Sequence, residues 1–282
     1  MATYQHAEAI LHVENVGVAY GEKQIIEHIT FTEKDVLRPD VVQGQTIAFV
    51  GRSGRGKSTL FRSLAGLEQP TQGEVMISDL QAPIKEGENP PLRKVREGDV
   101  GFVSQNYVLF RHKTIQQAME FAMRKQSLPA AEKDKKITQY LKDWGLYAVR
   151  HQYPNELSGG QRQRTAILEQ VLSSTNYIIL DEPFSGLDVG NIQNAINAFR
   201  LINQSHELAT IIFCTHDIDL AVEMADSLYV LGYPTNADGT LHPVGTLVKH
   251  FDLKTRGLAW KDHFSPEHKA LVEEIKEAIL AS

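Results

Sequence analysis

Apolar residues follow two rhythms along this chain. Short runs of four to eight, bounded by glycine or polar residues, predict strands at 10–20, 25–31, 46–50, 73–77, 100–103, 177–180 and 211–214. Between them the apolar spacing lengthens to that of helices. Residues 56–67 place Leu60, Phe61, Leu64 and Leu67 on one face, and 114–144 read as helical, with a second helix after Pro129. A last helix starts at Ser265-Pro266, a hydroxyl N-cap followed by proline, and lines up Leu271, Val272, Ile275 and Ile279 for packing. Residues 32–44, with Pro39 and mixed charges, read as a loop, and 81–98, with three prolines and many charges, as a surface insertion. Strands alternating with helices predict an α/β fold. Residues 106–158 form a helical lobe inserted between the strands.

Composition narrows the class. The 282 residues are 42% hydrophobic and 23% charged, an ordinary globular balance. The formal charge of −6 points away from a nucleic-acid partner. The single cysteine, Cys214, excludes a disulfide framework and a Cys-rich zinc site; its apolar run makes it a buried small side chain. No stretch approaches the roughly 20 apolar residues of a membrane span, and residues 1–10 lack the pattern of a secretory signal. At a membrane, such a chain works from one side, through a partner.

The chemistry begins where the strand at 46–50 ends. Gly51, Arg52, Ser53, Gly54, Arg55, Gly56, Lys57, Ser58 and Thr59 match G-x-x-x-x-G-K-[ST], the P-loop that cradles phosphates. Its glycines allow turns that a side chain would block. Successive amides form an anion nest, and the next helix adds its positive end. Lys57 supplies charge for the β/γ-phosphates, and the Ser58 hydroxyl can ligate Mg²⁺. Alone, the loop indicates a nucleoside triphosphate and little else. The strand at 177–180 closes on Asp181 and Glu182. Asp181 is placed to hold the Mg²⁺ shell and Glu182 to accept a proton from attacking water. Thr215 and His216 end another strand, at the sheet edge where α/β folds bind ligands.

Leu157–Gln161, LSGGQ, make a second anion cradle from the Ser158 hydroxyl, the Gly159 and Gly160 amides and a helix start. With this motif intact before the acidic strand, the chain resembles the ATP-binding subunits of ABC transporters over roughly 10–231. The resemblance implies a P-loop NTPase core with an antiparallel β subdomain and a helical subdomain. It assigns Tyr20 to adenine stacking, Gln105 to sensing Mg²⁺ and γ-phosphate, Asp188 to the D-loop and His216 to the γ-phosphate switch. It also implies a head-to-tail homodimer, or a pseudo-dimer with a second ABC subunit. In that dimer Ser158, Gly159, Gly160 and Gln161 of one copy cap the ATP on the P-loop of the other. Further partners would be membrane permease subunits and, through the complex, a substrate-binding protein, with the chain peripheral on the cytoplasmic face of the membrane.

On this reading residues 1–250 are the ABC ATPase domain, with the core at 10–105 and 157–232 and the lobe at 106–158; residues 251–282 are a C-terminal helical extension. A free-standing cassette is more like an importer subunit, and residues 51–75 resemble the nitrate/sulfonate/taurine group. The rival class is a soluble ABC ATPase of DNA repair, chromosome handling or translation. Those members carry long coiled coils, zinc cysteines or tandem cassettes, none of which stands in this sequence. Glu182 and His216 argue against a regulatory module without turnover. Three departures from the family stand out: the length of 81–98, Arg111-His112-Lys113 on the surface expected to meet the permease, and Glu169 where arginine is usual.

Overall fold

The computed structural model describes residues 5–37, 44–79, 82, 90–173, 176–185, 192–193, 196–197, 199–200, 202–203, 210–236, 238–261 and 264–282. Two sheets share the architecture. The first is antiparallel, with order β2-β1-β4-β5, built from β1 (Gln5–Tyr20), β2 (Lys23–Leu37), β4 (Gln72–Ser78) and β5 (Leu92–Lys94). The second has order β10-β9-β3-β8-β7-β6. Its strands are β3 (Gln45–Val50), β6 (Val100–Val103), β7 (Tyr177–Asp181), β8 (Thr210–Cys214), β9 (Ser227–Gly232) and β10 (Thr246–Asp252). All pairs in it are parallel except β9 with β10. The α/β core with an antiparallel sheet and a helical lobe is therefore as expected.

The central strands read as unbroken apolar runs because both of their faces are covered. On β3, Ile47 and Phe49 join a core with β1, β2 and helix α1 (Lys57–Leu64); Ala48 and Val50 join the other core, with the remaining helices. In the first core Phe49 stands edge-on to Phe61, 5.4 Å between centroids, and stacks on Tyr229 at 5.2 Å. This contact locks α1 to the sheet directly behind the P-loop.

Two sequence expectations change. Strand β2 continues to Leu37, into the segment expected to be a loop. Its charge, Glu33, is buried and accepts hydrogen bonds from Gln45 Nε2 (2.9 Å), Ser227 Oγ (3.3 Å) and Tyr229 Oη (2.7 Å). A carboxylate that is satisfied internally looks, in sequence, like a solvated one. The insertion at 81–98 likewise contains β5, which adds an edge to the antiparallel sheet. Arg93 there reaches Asp99 with both terminal guanidinium nitrogens.

The helical lobe holds α2 (Ile115–Ala122), capped by a Thr114/Gln117 box, and α3 (Ala130–Asp143). Helix α4 (Gly159–Leu172) leads back to the sheet. Helices α5 (Ile218–Met224) and α6 (Pro266–Leu280) close the chain's far side. Ser265 caps α6 as its sequence indicates, and Leu271, Val272 and Ile275 are buried in the second core. Residues 246–252 extend the main sheet, so the C-terminal stretch is fastened to the core by a strand and by this apolar face.

Glu169, on α4, is 8% exposed and shares a cleft with Phe110, Phe121, Arg124 and Lys125. Burial pushes its carboxyl from 4.5 up to about 7. The folded chain thus holds this proton more tightly than the unfolded chain, and stability falls as pH rises from 4.5 through about 7. Glu169→Gln should therefore be more stable than the parent by about 3 kcal/mol at pH 8 and equal to it near pH 4. Urea unfolding at the two pH values checks this; an equal difference at both would refute it.

Candidate functional site

The site forms where β3, β7 and β8 end at the same edge of the parallel sheet. Glycine is required by the loop that follows β3. Gly51, Gly54 and Gly56 have φ of 152°, 79° and 93°, which side-chain-bearing residues rarely adopt. Space is as restrictive as torsion. A Cβ on Gly51 would lie 2.1 Å from the Leu231 carbonyl oxygen, and one on Gly56 would lie 2.3 Å from Ile26 Cγ2. The loop is therefore pressed onto β9 behind it and β2 beside it.

Lys57 begins α1 and folds back over the loop. Its ammonium donates to the carbonyls of Gly51 (2.7 Å) and Arg52 (3.1 Å). Burial lowers its pKa, while Cys214, Glu182 and Asp181 act in the opposite direction. Ser53, Gly54, Gly56, Lys57, Ser58 and Thr59 line an open cleft of about 820 Å³ together with Ile25, Gln105, Glu182, Ser185 and His216. The structure thus brings the phosphate loop, Gln105, Glu182 and the histidine to one place, while Asp181 stands behind the cleft lining. Arg52 and Arg55 do not line the cleft.

Opposite the loop, Glu182 carries φ of 52°, a left-handed conformation imposed just after β7. The His216 Nε2 lies 2.8 Å from its Oε1. Burial raises the Glu182 pKa, while His216 and then Lys57 hold it down. A carboxylate so balanced suits proton transfer. Asp181, half-buried, accepts from the Cys214 thiol at 3.0 Å, and burial pushes that thiol's pKa well up. Cys214 is thus the buried small side chain expected, and it also touches the acidic pair.

Gln105 leaves β6 exposed and donates through Nε2 to Ser185 Oγ at 3.1 Å. Nearby, Tyr107 and the buried Gln163 of α4 both donate to the Pro183 carbonyl, at 2.9 and 2.6 Å. The Gln105 segment, the segment after Glu182 and α4 are thereby tied together. Ser185, Ile25 and Gln163 were not singled out from sequence. A serine, an isoleucine and a glutamine carry no signal of their own, since only folding brings them here.

Tyr20 stands outside the cleft lining, 48% exposed. Its hydroxyl is engaged by Glu68 and Thr59, which fixes the ring beside α1. The LSGGQ segment lies elsewhere. Ser158 caps α4: its hydroxyl accepts from the Gln161 amide (3.3 Å) while Gln161 Oε1 accepts from the Ser158 amide (2.9 Å). Ser158 and Gly159 are exposed, and none of these four residues lines their own chain's cleft. A Cβ on Gly159 would meet nothing within 4 Å. The expected D-loop residue Asp188 lies outside the described residues.

A second groove, about 1160 Å³, runs between the Gln105 segment and α4. It is lined by Asn106, Tyr107, Val108, Leu109, Arg111, Pro154, Asn155 and Arg162, with Val108 80% exposed. For a divalent ion the nearby oxygens are the Ser58 hydroxyl, the Gln105 amide and the Asp181 carboxylate. Among the described residues no group of three or more His, Cys, Asp or Glu could hold a metal. One carboxylate with neutral oxygens fits Mg²⁺, which completes its octahedron with phosphates and water. Among the described residues no helix is long and apolar enough to cross a membrane.

Comparison with known proteins agrees with this geometry. Residues 35–185 match the family model described as ABC transporter. A sulfate/thiosulfate import ATP-binding protein of Thermosynechococcus vestitus is 32% identical over 85% of this chain and 65% of its own length. One from Agrobacterium fabrum is 36% identical over 76% and 59%. A probable sulfate/thiosulfate import ATP-binding protein of Chlorella vulgaris is 31% identical over 85% and 97%. The chain thus spans about two thirds or less of the two bacterial relatives. Among solved structures, cbiO1 from Clostridium perfringens, part of the transporter complex cbiONQ, superposes with TM-score 0.68 at 23% identity, covering 97% of this chain and 98% of that one. A nucleotide-free ATP-binding cassette from an ABC transporter superposes with the same score at 16% identity.

Because Gly56 meets both a torsional and a steric barrier, Gly56→Ala should lower stability by about 2 kcal/mol. Binding of a nucleoside triphosphate should weaken about tenfold or more. Urea unfolding and isothermal titration measure the two effects; an alanine that changes neither would show the loop to be pliable.

Proposed function

Since the chain belongs to the ABC transporter family, we propose that it is an ATP-hydrolysing subunit that powers transport through a separate membrane permease. ATP lies with its phosphates on residues 51–59, Lys57 meeting the β/γ-phosphates, and Tyr20 stands where the adenine would stack. Ser58, Gln105 and Asp181 hold Mg²⁺, which neutralises developing phosphate charge. Glu182 takes a proton from the attacking water, and His216 orients Glu182 and contacts the γ-phosphate. The electrostatic support for this is the burial of Glu182 beside Lys57 and the His216 ring.

One observation carries the dimeric part of the reading. LSGGQ is a capped helix N-terminus, with Ser158 and Gly159 exposed, that takes no part in its own chain's cleft. Gly159 is neither left-handed nor sterically confined within the chain. Its small size is explained if another surface approaches it. The ATP of a second copy fits that role: phosphates favour helix N-termini, and a head-to-tail pair would place two such caps on two ATP molecules. Loss of the γ-phosphate removes the contacts that hold the halves together. The Gln105–Ser185 bond and the two bonds to Pro183 then link the cleft to the helical lobe, so the lobe moves with the site.

The groove from Asn106 to Arg162 lies beside those links and suits a permease segment. The chain would then sit on the cytoplasmic face of the membrane, and a substrate-binding protein would join only through the complex. Direction and substrate follow from the relatives. They are named for sulfate and thiosulfate import. The resemblance of residues 51–75 to the nitrate/sulfonate/taurine group points the same way, to import of small oxyanions. The chain's cleft reads ATP, so the permease and its binding protein select among them.

Two outcomes test the reading. Glu182→Gln should slow ATP hydrolysis about 10²–10⁴-fold while retaining ATP-bound dimers; normal turnover would remove Glu182 from the chemistry. Ser158→Arg should leave folding and monomer ATP binding intact but abolish Mg-ATP-dependent dimerisation in light scattering. Undiminished dimerisation would remove LSGGQ from the interface.

A further inference from the structure

Among the loop residues, Arg55 has an arginine's charge within reach of a phosphate site, yet its side chain does not line the cleft. It is turned to the outer side of the loop. There its guanidinium lies 3.7 Å over the Tyr233 ring centroid and donates through Nη2 to the backbone oxygen of Ser282 at 3.3 Å. Its Nε is buried without a hydrogen-bond partner. The half-buried side chain is held in its place by these contacts.

The neighbours show the same fastening. Tyr233 follows directly after β9, and its hydroxyl reaches the Gly54 carbonyl at 3.5 Å. Ser282 is 5% exposed, packed against Gly232 so closely that a Cβ there would lie 2.2 Å from its hydroxyl oxygen. The Arg55 carbonyl rests on Gly245, where a Cβ would come within 2.2 Å. Thus the outside of the loop is held by the end of β9, the residue before β10 and the turn after α6.

We propose that Arg55 and Tyr233 are positioning residues: with the turn after α6 they form a brace that keeps the phosphate loop in its receptive shape before nucleotide arrives. The inference rests on the reading of residues 51–59 as the ATP site. A loop already ordered loses less freedom on binding, so the brace acts on affinity. It acts equally on the ground and transition states, so it leaves the chemical step alone. The link also runs from the last turn of α6 to the triphosphate site, making the C-terminal helix part of that site's support.

The test uses the full chain and Mg-ATP. Tyr233→Ala should weaken ATP binding about 3- to 10-fold in isothermal titration, with kcat at saturating ATP within about twofold of the parent, and Arg55→Ala should weaken binding to a similar degree. Tyr233→Phe, which keeps the ring under Arg55, should bind like the parent. The double variant should bind no more weakly than the weaker single variant, because both remove one contact. Unchanged affinity in both alanine variants, strictly additive losses, or a kcat that falls in step with affinity would overturn the brace. If the parent binds no ATP, the reading of the site falls and the brace with it; if the parent binds and the alanine variants match it, only the brace falls.

Discussion

The structure turns on how closely one backbone approaches another behind the phosphate loop. Gly51 sits against the Leu231 carbonyl and Gly56 against Ile26, so the loop is shaped by β9 and β2 as much as by its own residues. That approach is available only to glycine. It places Lys57 over the loop and sets α1 on the Phe49–Phe61–Tyr229 cluster. The position of the cleft opposite Glu182 and His216 follows from the same packing, because β3, β7 and β8 run in parallel and end together.

The charges in the cleft are arranged by burial. Taking Lys57 out of water disfavours its charge, and taking Glu182 out of water disfavours its own; each supports the other's ionised form across the cleft. His216, from a different strand, adds the contact that holds Glu182. A site assembled this way keeps the Glu182 carboxyl and the Lys57 ammonium close together in a partly desolvated cleft. Its outer links, Gln105 to Ser185 and Tyr107 and Gln163 to Pro183, give a change at the nucleotide a path into the lobe.

The second cradle has the opposite design. LSGGQ is tied to itself by a reciprocal Ser158–Gln161 cap and makes no use of its glycine's freedom within the chain. One chain therefore carries a cleft that is half built and a cap that faces outward. On the proposed reading the two complement each other across copies, which makes assembly a condition of that chemistry. The relatives' names are those of import ATP-binding proteins, which agrees with the proposed motor.

Much of this was legible along the chain. The phosphate loop, the acidic strand end, His216 and LSGGQ are local patterns whose chemistry needs fixed spacing. On β3 it is the unbroken apolar run, not an alternation, that marks a strand covered on both sides. What was hidden depends on distant partners. Glu33 looked solvated because Gln45, Ser227 and Tyr229 reach it only after β2, β3 and β9 come together. Ser185 and Ile25 acquired a place in the cleft from folding alone. Arg55 read as a phosphate ligand by position, yet its side chain is drawn to Tyr233 and Ser282, some 180 and 230 residues away. Sequence determined which short-range motifs exist, since their function is written in neighbouring residues. Tertiary structure decided which long-range groups face them, since a side chain's direction is set by whatever packs against it.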